Sequence, residues 1–135
     1  MGCAGWRRRG DEAIVWAGVM KDTSTLMSEL RQFVAERDWA QFHDPKNLTM
    51  LLASEAGELV AEYRWITGDA ADSHSRDAEA RKRIADEIGD VGIALLLLCD
   101  RTGIDLGEAI AAKLAKNRER YPADRSRGKP SRPGG

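Results

Sequence analysis

From Lys46 to Tyr121 the chain contains no proline, and apolar residues along that stretch recur at helical spacing. No alternating run of β-branched residues occurs, so the sequence predicts an all-α fold, a bundle of four to five helices. Thr23 or Ser24 is expected to cap a first helix carrying Leu26, Leu30, Phe33 and Val34 and ending near Asp38. Trp39 to Asp44 reads as a loop. Asp44 then caps a second helix with Pro45 at its first position, where a missing N–H costs nothing. That helix is expected to run to about Thr67 and stop at Gly68. Residues 69–78 are small and polar, a surface loop. A third helix is expected from about Ala78 to Arg101, with Gly103 marking its end, and Asp105 with Glu108 opens a fourth that Pro122 closes.

The 135 residues suit one domain, expected over residues 23–122. Residues 1–22 are expected to be a disordered or mis-started extension. Arg7, Arg8 and Arg9 lead only to Asp11, Glu12 and a thin apolar patch ending at Met20, which makes a poor signal peptide. Residues 123–135, rich in Arg, Pro and Gly, read as a disordered basic tail. With 21 basic and 22 acidic residues the net charge is −1, which gives no case for a nucleic-acid polymer or an anionic membrane as partner. The longest apolar run, Ile93 to Cys99, falls far short of the ~20 residues a spanning helix needs. Cys3 and Cys99 cannot make a disulfide framework, and with His43 and His74 they have no zinc-ligand spacing. A soluble cytoplasmic domain is expected.

The position of the acids is more informative than their number. A helix turns about 100° per residue. With Leu48 at zero, Leu51, Leu52, Leu59 and Ile66 fall within about 60° of it and mark the inward face of the second helix. Glu55 and Glu62 lie inside that sector, at about −20° and −40°, and Glu58 lies at its border near −80°. The third helix repeats the pattern: Ile84, Ile88, Val91, Leu95 and Leu98 form its apolar face, with Glu87 about 60° away and Asp90 beside it. Solvated acids belong opposite the leucines, not among them. Arg83, at the edge of the third helix's inward face, cannot balance four or five carboxylates, and clustered carboxylates repel unless protonated or bound to a cation. A hard metal ion is the economical answer. No histidine stands three residues after an inward glutamate, which disfavours a di-iron site. All-oxygen ligation suits Mg²⁺ or Mn²⁺, and Mg²⁺ usually shares its shell with substrate phosphates.

Glu55-Ala-Gly-Glu58 followed by Glu87-Ile-Gly-Asp90 resembles the E-x-x-E…E-x-x-D signature of all-α nucleoside triphosphate pyrophosphohydrolases of the MazG type. Glu36-Arg-Asp-Trp-Ala-Gln-Phe-His43, Pro45-Lys-Asn-Leu48, Glu62-Tyr-Arg-Trp65 and the closing stretch from Lys113 to Pro122 are similar to the dCTP pyrophosphatase branch. The resemblance spans residues 25–122. It implies a helical bundle that forms a homodimer or homotetramer, and hydrolysis of a (deoxy)nucleoside triphosphate, dCTP or a modified dCTP, to monophosphate and pyrophosphate. It implies that Glu55, Glu58, Glu87 and Asp90 hold Mg²⁺ and carry catalysis, and that Lys113 and Asn117, aided by Arg120, meet phosphates and sugar. Trp39 and Trp65 resemble base-contacting aromatics, with packing in a core or interface as the alternative, and His43 is a candidate for contact with phosphate or base. One position departs from the branch: Ala94 stands where a tyrosine is expected, which leaves base preference open. Broad dNTP hydrolysis, or a silent helical nucleotide-binding or dimerisation module, are the alternatives.

Overall fold

The computed structural model describes residues 21–129. Among these residues every regular element is helical and there is no strand, as the spacing predicted. The elements are α1 (Thr23–Glu36), a 3₁₀ turn (Trp39–Phe42), α2 (Pro45–Ala61), the single-turn α3 (Ala71–His74), α4 (Ala78–Thr102), α5 (Leu106–Arg120) and the single-turn α6 (Ala123–Ser126). Residues 22–105 form one compact unit, and α5 and α6 belong to another. The expectation for residues 1–22 falls almost wholly outside the described residues. Part of the expected disordered tail is instead a helical turn, α6.

Side-chain caps set the helix starts. Asp22, one residue before the expected cap, accepts from Thr25 N at 2.8 Å and from the Ser24 hydroxyl at 2.8 Å. The Thr25 N–H is the main reason its carboxyl sits below the usual range. Asp44 accepts from Asn47 N at 2.9 Å, with Pro45 at the first helical position. Asp77 accepts from Ala80 N at 2.9 Å and starts α4. At the other end of α4, Gly103 has φ 68°, a left-handed conformation open to glycine at little cost. Its N–H reaches Asp100 O at 3.4 Å and Ile104 N reaches Cys99 O at 3.1 Å, which closes the helix in a Schellman arrangement.

The second helix is shorter than its sequence pattern. It ends at Ala61, six residues before Thr67, for a local reason. The helical ladder tightens first at Tyr63 N, which turns to Val60 O at 3.1 Å, and at Arg64 N, which turns to Ala61 O at 3.4 Å. The Glu62 carbonyl beyond them accepts from His74 Nε2 at 3.0 Å. Ile66 N turns to Tyr63 O at 2.9 Å, and Tyr63 Oη and Ser75 Oγ lie 2.7 Å apart and tie the turn to the end of α3. The segment expected to be a plain surface loop therefore contains α3, and its histidine secures the turn that follows α2.

α2 and α4 make the largest helix–helix contact, and α1 packs on α4 over a smaller area. The buried centre joins Val34 of α1, Leu48 of α2 and Leu97 of α4, with Leu30 and Leu98 against it. Leu48, near the start of α2, meets the C-terminal part of α4, so the two helices are antiparallel. The single apolar stripe expected on α4 holds for Ile84 but fails at Ile88, which is 55 % exposed. Further along, Ala94, Leu96, Leu97 and Cys99 are all buried, although they point in different directions around the helix. That half of α4 lies between α1 and α2, so one stripe cannot describe it. Arg31 Nε of α1 donates to Asp100 Oδ1 at 2.9 Å on its outer side.

Leu48 is 1 % exposed and is the largest fully buried side chain among the described residues. Leu48→Ala should cost about 2–5 kcal/mol, read as a lower urea midpoint at unchanged slope. Asp77→Ala should cost about 1 kcal/mol through the lost cap alone.

Candidate metal centre

The antiparallel pairing brings two rows of side chains face to face. Glu55, Glu58 and Glu62 follow each other at i, i+3 and i+7 on α2; Arg83, Glu87 and Asp90 do so at i, i+4 and i+7 on α4. One carboxylate oxygen from each of Glu55, Glu87 and Asp90 lies within 4.8 Å of the other two. Glu55 and Glu87 are half-buried and Asp90 is exposed. Glu58, expected as a fourth member, is exposed and stands outside that set.

Among the described residues no Lys or Arg forms an ion pair with Glu55, Glu58, Glu87 or Asp90. Glu62 differs: Arg83 Nε donates to both its carboxylate oxygens, at 3.1 and 3.3 Å. The inward acid at Glu62 is thus paired with the nearby cation, and the remaining acids are left to repel one another. Glu87 registers the repulsion. Loss of surrounding water raises its pKa first, followed by the charges of Glu58, Asp90, Glu55 and Glu62. The folded protein holds this proton more tightly than the unfolded chain does. Its contribution therefore favours folding at acid pH and is lost as pH rises through the raised value. Three converging carboxylates without a fixed countercharge, offering oxygen atoms alone, fit a hard divalent cation.

The other candidate residues lie on other elements. Trp39 sits on the 3₁₀ turn with its ring edge-on to Phe33 at 5.7 Å, and the Arg37 guanidinium lies 3.6 Å over the Phe33 ring. Trp39 therefore packs partly against the end of α1. His43 lines a cavity of about 180 Å³ with Arg31, Ala40, Leu97 and Asp100, none of them a member of the acid rows. Trp65, just past the end of α2, is 84 % exposed, and its ring contact is with the Arg64 guanidinium at 5.2 Å. Lys113, Asn117 and Arg120 all belong to α5, in the other compact unit. Ala94 is fully buried, so this position presents no side chain at an open surface. Two residues given no site role by the sequence reading make contacts at the end of the acid rows: His74 holds the Glu62 carbonyl, and Arg83 bonds its carboxylate. The i, i+4 offset of Arg83 from Glu87 was the available signal for the second.

The family model described as MazG-like matches residues 52–132, a span that includes all four signature acids. The chain belongs to the MazG-like family. Among its relatives, dCTP pyrophosphatase 1 of Mus musculus is 39 % identical over 97 residues, covering 72 % of this chain and 57 % of the relative. The Homo sapiens protein of the same name is 40 % identical over 96 residues, covering 71 % and 56 %. The chain thus spans little more than half the length of these relatives. The crystal structure of a pyrophosphatase from Archaeoglobus fulgidus superposes with a TM-score of 0.66 at 37 % identity, covering 73 % of this chain and 91 % of that one.

Glu87→Gln should raise the melting temperature of the divalent-free protein at neutral pH, because it removes one of the repelling charges. The same variant should lose the upward shift that Mg²⁺ or Mn²⁺ gives the native sequence. Differential scanning fluorimetry with chelator and with each metal checks both signs.

Proposed function

We propose that this protein hydrolyses a (deoxy)nucleoside triphosphate to nucleoside monophosphate and pyrophosphate, with dCTP or a modified dCTP as the preferred substrate. The observation that carries the reading is the convergence of Glu55, Glu87 and Asp90 without a countercharge. Its support from outside the geometry is the name of the relatives, dCTP pyrophosphatase 1. Mg²⁺, or Mn²⁺ in its place, is the proposed cofactor, with Glu58 as the fourth acid of the set.

A bound divalent ion would neutralise phosphate charge and lower the pKa of the attacking water. The protein's own groups do the rest. The carboxylates would hold the cation, and a glutamate of the set accepts the proton that leaves the water. The water oxygen bonds to phosphorus, the linkage between the α- and β-phosphoryl groups breaks, and the electron pair leaves with pyrophosphate. Trp39 and Trp65 are proposed to contact the base, His43 the base or phosphate, and Lys113, Asn117 and Arg120 the phosphates and sugar. A homodimer or homotetramer is proposed, supported by the exposure of Phe33, Val60, Ile88 and Ile93. The assignment as a cytoplasmic enzyme that cleans the nucleotide pool rests on this substrate. The buried alanine at position 94 favours one second reading, the same hydrolysis with broad dNTP preference.

A panel of nucleoside triphosphates with Mg²⁺, read as monophosphate plus pyrophosphate, tests the proposal. Release from dCTP above the other nucleotides is expected, equal rates across the panel would establish the broad reading, and no release from any triphosphate would end both. Glu58→Gln should lower kcat by about 100-fold or more, since losing several kcal/mol of transition-state stabilisation has that effect. The side chain is exposed, so circular dichroism should barely change, and melting of the divalent-free protein should hold or rise as one repelling charge is removed. Trp65→Ala should raise KM more than it lowers kcat while leaving stability unchanged, because so exposed a ring contributes little to the fold.

A further inference from the structure

We infer that Arg83 is a substrate-contacting residue, held by Glu62 so that its free guanidinium edge receives the pyrophosphate end of the bound triphosphate. The inference rests on the pyrophosphohydrolase reading above and adds to it the direction in which the polyphosphate lies.

Arg83 occupies the rung before Glu87 on the acid row of α4, on the side of the α2–α4 connection. Its hydrogen bonds are made through Nε alone, shared between the two Glu62 oxygens at 3.1 and 3.3 Å. A guanidinium carries five N–H donors in a planar fork. The four on Nη1 and Nη2 donate to no acceptor among the described residues. The Arg83 side chain is 55 % exposed and the Glu62 side chain only 19 %, so the anchoring carboxylate is sheltered and the fork stays open to solvent.

Stability alone is a weak reason for such a pair. An ion pair with an exposed partner is worth about 0–1 kcal/mol. Recognition explains its geometry better. A polyphosphate entering this seam meets Glu55, Glu58, Glu87 and Asp90, none of which has a basic partner among the described residues. Even with a divalent ion bound, Arg83 is the fixed cation on the adjoining rung. Arginine suits the task because its fork binds phosphate oxygens in pairs, which a lysine ammonium cannot do. Anchoring through Nε also removes much of the side chain's freedom before substrate arrives, which lowers the entropic cost of the contact. Since Arg83 lies on the connection side of the acids, the β- and γ-phosphoryl groups extend toward that connection. Negative charge grows there as the α–β linkage breaks and pyrophosphate takes the electron pair.

The test compares the native sequence with Arg83→Ala, Arg83→Lys and Glu62→Ala in the Mg²⁺-supported reaction. Inhibition by pyrophosphate and by dCMP is measured alongside, and Mn²⁺ binding by electron paramagnetic resonance. For Arg83→Ala, kcat/KM is expected to fall by about tenfold or more and pyrophosphate inhibition to weaken by a similar factor, the scale of one charge-assisted contact. Inhibition by dCMP and affinity for Mn²⁺ should change little. Arg83→Lys should retain part of the effect, and Glu62→Ala should move in the same direction by less. Added guanidinium ion should partly restore Arg83→Ala, which a purely structural role would not allow. The inference is overturned if pyrophosphate inhibition is unchanged in an active Arg83→Ala enzyme, if only dCMP inhibition weakens, or if Mn²⁺ binding is lost. A native protein inert toward every triphosphate overturns the hydrolase reading and this inference together.

Discussion

Like-charge repulsion across the seam between α2 and α4 is the constraint around which this molecule is organised. Carboxylates from Glu55, Glu87 and Asp90 converge within 4.8 Å, an arrangement that costs energy in the absence of a cation. The compensation lies further along the same two helices, where Leu48 and Leu97 join Val34 in the buried centre. Apolar packing at one end holds the helices at a separation that their acidic middle would not choose. Stability has been given up locally where chemistry needs it, a common pattern at functional sites.

The rest of the seam follows from its charge. At the connection end Glu62 is matched by Arg83, so the repulsion is weakest there. Beyond it, the turn after α2 is fixed by neutral contacts, His74 to the Glu62 carbonyl and Tyr63 to Ser75. The near-zero net charge of the whole chain therefore conceals a strongly polarised interior edge. A balance of 21 basic and 22 acidic residues describes the chain's average field and says little about this edge.

Where a feature depends on helical phase, it could be read from the sequence. The inward placement of Glu55 and Glu87 follows from counting 100° per residue, and the caps at Asp44 and Gly103 from residue chemistry. Features that depend on a third element could not be read in this way. Ile88 shares the phase of Ile84 yet stays exposed, while Leu97 is buried because α1 covers it. Nothing in the apolar pattern near Ala61 signals the end of α2, and the turn beyond it is secured by a histidine 12 positions after Glu62. Trp39 looks like a free loop aromatic until Phe33 and Arg37 are seen beside it. For Glu62, the sequence showed an inward acid, and only the folded chain shows which cation it meets.

The way α2 ends has a consequence for how this chain can vary. The turn that follows it is pinned by one side chain clasping one carbonyl, not by a count of residues between them. The segment joining Glu62 to His74 can lengthen or shorten at small entropic cost, since loop closure depends only logarithmically on length. As long as a histidine returns to that carbonyl, the register of the acid rows is preserved. The connection is thus a place where new surface can be added without disturbing the chemistry beside it.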